Sequence, residues 1–226
     1  MSERKIKIIK DGPYIVSGDV PLREQIIKPK GPGYVYKDGR VFPHGETYSL
    51  CRCGKTSTPP FCDGTHTHVE FDGEETASAK MFEERLVSVT EGPALDLLDD
   101  GRCALARFCH RKDGVVWTLV KHSDDPKTRE EAIIAATECP AGRLEIREKD
   151  GTIIEPHLEQ EIVILQDPEK GCSGPLYIKG GIPIESADGF TYEVRNRVAL
   201  CRCGQSYNKP FCDAQHIRRN FSDKRR

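Results

Sequence analysis

Three cysteines and a histidine fall within CRCGKTSTPPFCDGTH, from Cys51 to His66, and nearly the same string, CRCGQSYNKPFCDAQH, returns from Cys201 to His216. Thiolates and imidazole nitrogens are the donors that soft and borderline metals take, so both strings read first as metal sites. Cys51 and Cys53 flank one residue at the end of an alternating stretch, which predicts that both point to one face. Cys62 and His66 are four apart and share a face if FCDGTH forms a helical turn, with Pro60 suited to its entry. The four donors are then expected to converge on one point near a helix N-terminus. Free N–H groups there favour the negative charge of a thiolate-bound group.

Two chemistries stay open at this level. A tetrahedral Cys₃His set can hold zinc. Mixed cysteine and histidine ligation also suits an iron–sulfur cluster, as in Rieske centres. The tight Cys-x-Cys spacing departs from the usual zinc knuckle, which keeps two to four residues inside each pair, and it favours the cluster.

The positioning elements repeat as well. Cys51, Cys53, Cys62 and His66 recur 150 positions on, as Cys201, Cys203, Cys212 and His216, and Phe71 recurs in that register as Phe221. Upstream, GPYIVSGDVPL from Gly12 resembles GPLYIKGGIPI from Gly174, and IKIIKD ending at Asp11 resembles IVILQD ending at Asp167. The register changes place an insertion at PEKGCS in the second copy and another at KPKGPGYVYKDGRVF in the first, both predicted as loop growth. Short β-rich runs alternating with Gly and Pro turns precede each cysteine string. Each copy is too small to bury much surface alone, so the two are expected to pack as a pseudo-twofold pair.

The pattern Cys-x-Cys, two residues, Ser or Thr, three residues, Pro, one residue, Cys-Asp-Gly-x-His resembles that of the CDGSH iron–sulfur (NEET) family. The first copy meets it at Cys51, Cys53, Thr56, Pro60, Cys62, Asp63, Gly64 and His66. The second meets it at Cys201, Cys203, Ser206, Pro210, Cys212, Asp213 and His216, departing at Ala214 and Gln215. Ala214 is expected to strain a turn that wants Gly. The resemblance implies a [2Fe–2S] cluster in each copy, one iron held by two thiolates and the other by a thiolate and the imidazole. Asp63 and Asp213 are read as supports of the turn, not catalytic acids.

Residues 83–150 interrupt the repeat. Read blandly, they form a small α/β domain with buried cysteines. Against that, Cys139 is followed by Pro140, as in ferredoxin motifs, and Cys103 and Cys109 match a Cys-x₂-Cys-x₂-Cys run whose centre is Ala106. GVVWTLV and RLEIRE are predicted strands. TREEAIIAA is a predicted helix, capped by Asp125 with Pro126 in its first turn. The segment resembles the divergent single-cluster ferredoxin-like domain of bacteria, with Cys139, Pro140, Gly142 and Leu144 matching its CP-x-G-x-L element. That resemblance implies Cys103, Cys109 and Cys139 as ligands. Three thiolates suit a [3Fe–4S] cluster, and a [4Fe–4S] form would need a fourth ligand, for which Cys172 and His110 are candidates.

Composition bounds the rest. The chain has 226 residues, 37% hydrophobic and 31% charged, with ten cysteines and a net charge of −2. That balance gives no reason to expect nucleic acid, and the basic tail HIRRNFSDKRR reads as a solvated terminus. No apolar run approaches the ~20 residues of a membrane span. MSERKIKIIKDG shows no secretory signal, so a cytoplasmic location is expected and the cysteines read as metal ligands instead of disulfides. No dinucleotide, phosphate-loop or nucleophile motif is present, so no catalytic residue is assigned and no enzyme activity is expected.

The expected fold is α+β. Two small β-rich CDGSH repeats, residues 1–82 and 151–226, pair as an intramolecular pseudo-dimer, and a ferredoxin-like α/β domain, residues 83–150, is inserted between them. The expected function is that of a monomeric one-electron carrier working with redox partner proteins. The alternative is an iron–sulfur store, redox sensor or donor to apo-protein acceptors. A zinc-stapled interaction module without redox activity is the third reading.

Overall fold

The computed structural model describes residues 3–223; the ends of the N-terminal segment and of the basic tail, residues 1–2 and 224–226, lie outside the described residues. The first third holds strands β1 (Lys5–Ile8), β2 (Tyr14–Ser17), β3 (Leu22–Lys30), β4 (Gly33–Val41) and β5 (Thr47–Leu50). The middle third holds β6 (Ser88–Glu91), β7 (Leu95–Asp99), β8 (His110–Arg111), β9 (Gly114–Val115), helices α1 (Val116–Val120) and α2 (Pro126–Thr137), β10 (Leu144–Glu148) and β11 (Ile153–Ile154). The last third holds β12 (Glu161–Asp167), β13 (Cys172–Lys179), β14 (Ile184–Glu185), β15 (Arg197–Leu200) and α3 (Gln215–Arg218).

The repeat is visible strand by strand: β1, β2, β3 and β5 correspond to β12, β13, β14 and β15. The sheets do not keep to their own copies. One has the order β14-β1-β2-β5 and the other β15-β13-β12-β3-β4. Each copy's third strand thus crosses to the other's sheet. Ile184 of β14 lies parallel beside Ile6, and Leu22 of β3 lies parallel beside Ile162.

Alternation explains the sandwich. Ile6, Ile8, Tyr14 and Val16 turn one face inward from the first copy, and Ile162, Ile164, Leu176 and Ile178 do so from the second. Both sets are fully buried in one shared core, each side chain contributing roughly 1.5–3 kcal/mol. The cysteine loops meet beside it. A Cβ on Gly54 would stand 2.7 Å from the Cys203 carbonyl oxygen, and one on Gly204 would stand 2.6 Å from that of Cys53. Both glycines are left-handed, so only Gly permits this reciprocal approach.

Two expectations need correction. KPKGPGYVYKDGRVF is no loop: it builds most of the long β3–β4 hairpin. Its register is fixed by tertiary partners, because β3 pairs with β12 and Tyr36 stacks on Phe108 with ring centroids 4.1 Å apart. VWTLV is helix α1, not strand. Val116, Leu119 and Val120 are buried at i, i+3 and i+4, so packing selects the helical period over β-branched propensity. The predicted α2 forms, with the Asp125 carboxylate accepting from the Thr128 N–H at 2.8 Å, and RLEIRE supplies β10. In the middle segment α1 and α2 pack on the sheet β11-β10-β7-β6. No helix among the described residues is long and apolar enough to cross a membrane.

Candidate metal centres

Immediately after β5 the chain folds back on itself. The Cys51 N–H donates to the Pro60 carbonyl and the Cys62 N–H to that of Ser49, both at 2.9 Å, while Leu50 bridges Phe61. The second copy repeats this with Cys201 to Pro210 and Cys212 to Ala199, both at 2.8 Å. The Thr56 and Ser206 hydroxyls donate to the carbonyls of Phe61 and Phe211, each at 2.7 Å. Asp63 accepts from the N–H groups of Ser57 at 2.7 Å and Thr65 at 3.0 Å. Donors from Thr65 and Ser57 hold its carboxyl well below the usual carboxylate range. Asp213 accepts from the Tyr207 N–H at 2.8 Å in the same way. Both aspartates therefore act as turn supports.

The helical turn is not where spacing placed it. It begins at Thr65 (Thr65–Thr67), or at Gln215 in the second copy, after a left-handed residue: Gly64 at φ 86° and Ala214 at φ 68°. Cys62 and Cys212 precede it, and Pro60 belongs to the returning segment, its carbonyl committed to Cys51. A left-handed residue cannot lie inside a right-handed helix, which separates Cys62 from His66's turn. At Ala214 this conformation carries a strain of roughly 1–2 kcal/mol.

The four donors do not converge on one point either; they form two pairs. Cys51 Sγ and Cys53 Sγ lie 3.6 Å apart, and Cys62 Sγ and His66 Nδ1 lie 3.4 Å apart. The second copy gives 3.7 Å for Cys201 and Cys203 and 3.4 Å for Cys212 and His216. Two ligands on one tetrahedral metal stand about 3.7 Å apart for two sulfurs and about 3.5 Å for sulfur and nitrogen, given metal–sulfur bonds of ~2.3 Å and metal–nitrogen bonds of ~2.0 Å. Among the described residues no three His, Cys, Asp or Glu side chains gather around a single ion position. The pairs match two adjacent metals with two protein donors each.

The two cysteines of each pair share one thiol hydrogen bond, and that bond, with backbone N–H groups, draws Cys51 and Cys201 below the ordinary thiol value. Among these donors, the Gly54 N–H reaches Cys51 Sγ at 3.3 Å. Burial, and then the Arg202 charge, pull the His216 imidazole down to about 4, which keeps its ring neutral and able to ligate.

The two sites differ in enclosure. Cys62 and His66 are half-buried, whereas Cys212 and His216 are each 3% exposed. At Cys212 the middle segment contributes to this, while the turn of His216 packs on β13 of its own copy. Ala104 and Ala141 pack with Ala199 on Cys212, and Arg102 stacks over Phe211 at 3.9 Å.

In that segment Cys139 follows the C-terminal end of α2, and Cys103 and Cys109 bound a loop in which Leu105 and Arg107 are left-handed, at φ 52° and 69°. Non-glycine residues in that region mark a backbone shaped around a site. Burial, and then the nearby Cys139 and Cys103, push the Cys109 thiol up to about 11. The three cysteines are half-buried and close enough to act on one another electrostatically, with Cys109 and Cys139 packed against the middle segment's own core. Cys172 is not with them. It is buried in β13, pushed up to about 11 by burial, and its electrostatic neighbours are Asp167, Arg107, Arg202 and Lys170. His110 is exposed on β8.

Sequence reasoning missed four buried side chains and their contacts. Arg52 donates to the carbonyls of Ile9 at 2.9 Å and Gly73 at 2.8 Å and stacks on Phe71. Arg202 donates to those of Gly174 at 2.7 Å and Leu165 at 3.2 Å and stacks on Phe221. The repeat held this signal, since both pairs recur in register. Tyr14 donates to the Cys201 carbonyl at 2.7 Å, joining the first copy to the second site. Arg197, just upstream of Cys201, donates to the carbonyls of Ala136 at 2.8 Å and Cys139 at 2.7 Å. No spacing rule points to the last two, because their partners are distant in sequence.

Residues 11–67 and 173–217 match the family described as iron-binding zinc finger, CDGSH type, and residues 91–149 match the one described as divergent 4Fe-4S mono-cluster. The class this defines is that of iron–sulfur proteins. Within it, the chain carries two CDGSH-type segments flanking a divergent single-cluster segment. No curated protein and no solved structure matches the chain.

Proposed function

We propose that the protein is a one-electron carrier with a [2Fe–2S] cluster in each CDGSH site and a cuboidal cluster in the middle segment. Cys51 and Cys53 would hold one iron of the first cluster and Cys62 and His66 the other; Cys201 and Cys203, with Cys212 and His216, would hold the second. The observation that carries this is the two-by-two spacing of the donors, which suits a pair of bridged irons and leaves a single zinc without its third and fourth ligands. Bound clusters supply single-electron exchange. The chain's own residues supply thiolates primed by N–H donors, a neutral imidazole and partial shielding from water.

Cys103, Cys109 and Cys139 would hold the middle cluster. Since Cys172 stands among Asp167, Arg107, Arg202 and Lys170, the three thiolates favour [3Fe–4S] over [4Fe–4S]. The exchanged strands support reading residues 1–82 and 151–226 as an intramolecular pseudo-dimer, with residues 83–150 as a ferredoxin-like insert. No catalytic role is assigned. The reading is of a cytoplasmic monomer that meets redox partner proteins. A second reading, an iron–sulfur donor to apo-protein acceptors, draws on the half-buried His66.

Iron and inorganic sulfide content, with paramagnetic resonance of the oxidised protein, tests the assignment. Oxidised [3Fe–4S] gives a signal and oxidised [2Fe–2S] is silent. The expected result is sulfide in the purified protein and one oxidised signal, which Cys109→Ser abolishes. Stoichiometric zinc without sulfide overturns the proposal.

A further inference from the structure

The two CDGSH sites share a sequence but not an environment, and one loop contributes to the difference. The Cys103–Cys109 loop crosses from the middle segment onto the second site. Arg102 stacks on Phe211, and Ala104 packs against Ala199 and Cys212. Further along, Arg107 forms a two-pronged ion pair with Asp167 at 2.7 and 3.0 Å, and both charges act on His216. Phe108 is then wedged between Tyr34 and Tyr36 of the first copy's hairpin. The loop is pinned at both ends and packs over Cys212 of the second site's cysteine–histidine pair. A chain with one such insert has one such cover, and Cys62 and His66 stay half-buried.

We propose that the Cys103–Cys109 loop is a cover over the second CDGSH site. The first site is then the one from which an external acceptor takes its iron–sulfur group, and the second releases its own only when the loop lifts. This rests on the reading that both sites hold such groups and, for the acceptor, on the donor reading of the first site. Because Cys103 and Cys109 are also the middle segment's candidate ligands, loading of the middle site and closure of the cover share one piece of backbone. A filled middle site would hold the loop in its left-handed bends at Leu105 and Arg107. Emptying it would free the loop to open.

The test is release of iron and sulfide from the purified, loaded protein into excess EDTA, followed by visible absorbance. Besides release from the middle site, which Cys109→Ser removes, the two CDGSH sites are expected to give two phases differing about tenfold or more in rate, since the covered site must first open locally. His66→Cys should slow the fast phase only and His216→Cys the slow phase only. Arg107→Ala and, separately, Cys109→Ser should bring the slow phase towards the fast one while far-ultraviolet circular dichroism is unchanged. A single phase, a slow phase that responds to His66→Cys, or loop variants that remain folded with an unaltered slow phase would each overturn the cover. Where a loop variant does not fold, the loaded protein carrying His66→Cys or, separately, His216→Cys decides: each must slow a different phase, and one phase slowed by both counts against the cover. A protein isolated without sulfide refutes the iron–sulfur reading itself, whereas a loaded protein whose two CDGSH sites release together refutes the cover alone.

Discussion

At the scale of single residues, the ligand types and the turn supports were legible because the repeat printed them twice. What spacing could not supply was how the donors divide. Four donors in sixteen residues look like one site until the left-handed residue at Gly64 or Ala214 separates cysteine from helix. Buried charges were likewise silent. Asp223 accepts from the Ser173 hydroxyl at 2.6 Å and pairs with Arg202, the arginine between two candidate ligands. Burial opposes its charge, but Arg202 and Ser173 prevail and hold the carboxyl at about 2. A carboxyl depressed on folding contributes stability above its unfolded value of about 4, and that contribution drains away as pH falls towards 2. Asp223→Asn should therefore cost about 1–2 kcal/mol at neutral pH, after allowance for solvent screening. It should also flatten the loss of stability between about pH 4 and pH 2, as read by urea unfolding across that range. An unchanged acid limb would show that the clamp carries no such weight.

At the scale of elements, α2 was readable because its cap and its first-turn proline are local. The β3–β4 hairpin and α1 were not. The hairpin's Gly and Pro content signals a loop, and only β12 and Phe108 make it a sheet extension. VWTLV is a short apolar run whose period its partners decide. The docking of the middle segment on the second copy is equally non-local and turns on one position. Gly142 sits at φ 60°, and a Cβ there would stand 2.1 Å from the Arg197 carbonyl oxygen. Gly142→Ala should destabilise the protein by more than about 2 kcal/mol, combining left-handed strain with a backbone collision. It should also open the junction between Cys139 and β15. Thermal unfolding and limited proteolysis read the two effects, and a variant as stable and as protease-resistant as wild type would show that the junction gives way freely.

At the scale of the whole molecule, duplication was plain in the sequence, and so was the expectation that the copies pack together. The manner of packing was hidden, because a strand's partner is set by the shared core and not by its own letters. β3 and β14 are each other's payment for that core: neither sheet is complete with strands from one copy. Severing the backbone at the turn around Gly151, between β10 and β11, would leave two pieces: residues 1–150, lacking β14, and residues 151–226, lacking β3 and β4, of the sheet each mostly owns. Neither should give a native circular dichroism spectrum alone, while the two co-expressed should purify as a stoichiometric pair. A piece that folds unaided would contradict this. The crossed strands thus make the molecule a natural candidate for fragment complementation, a self-assembling reporter whose colour would return only when both halves meet.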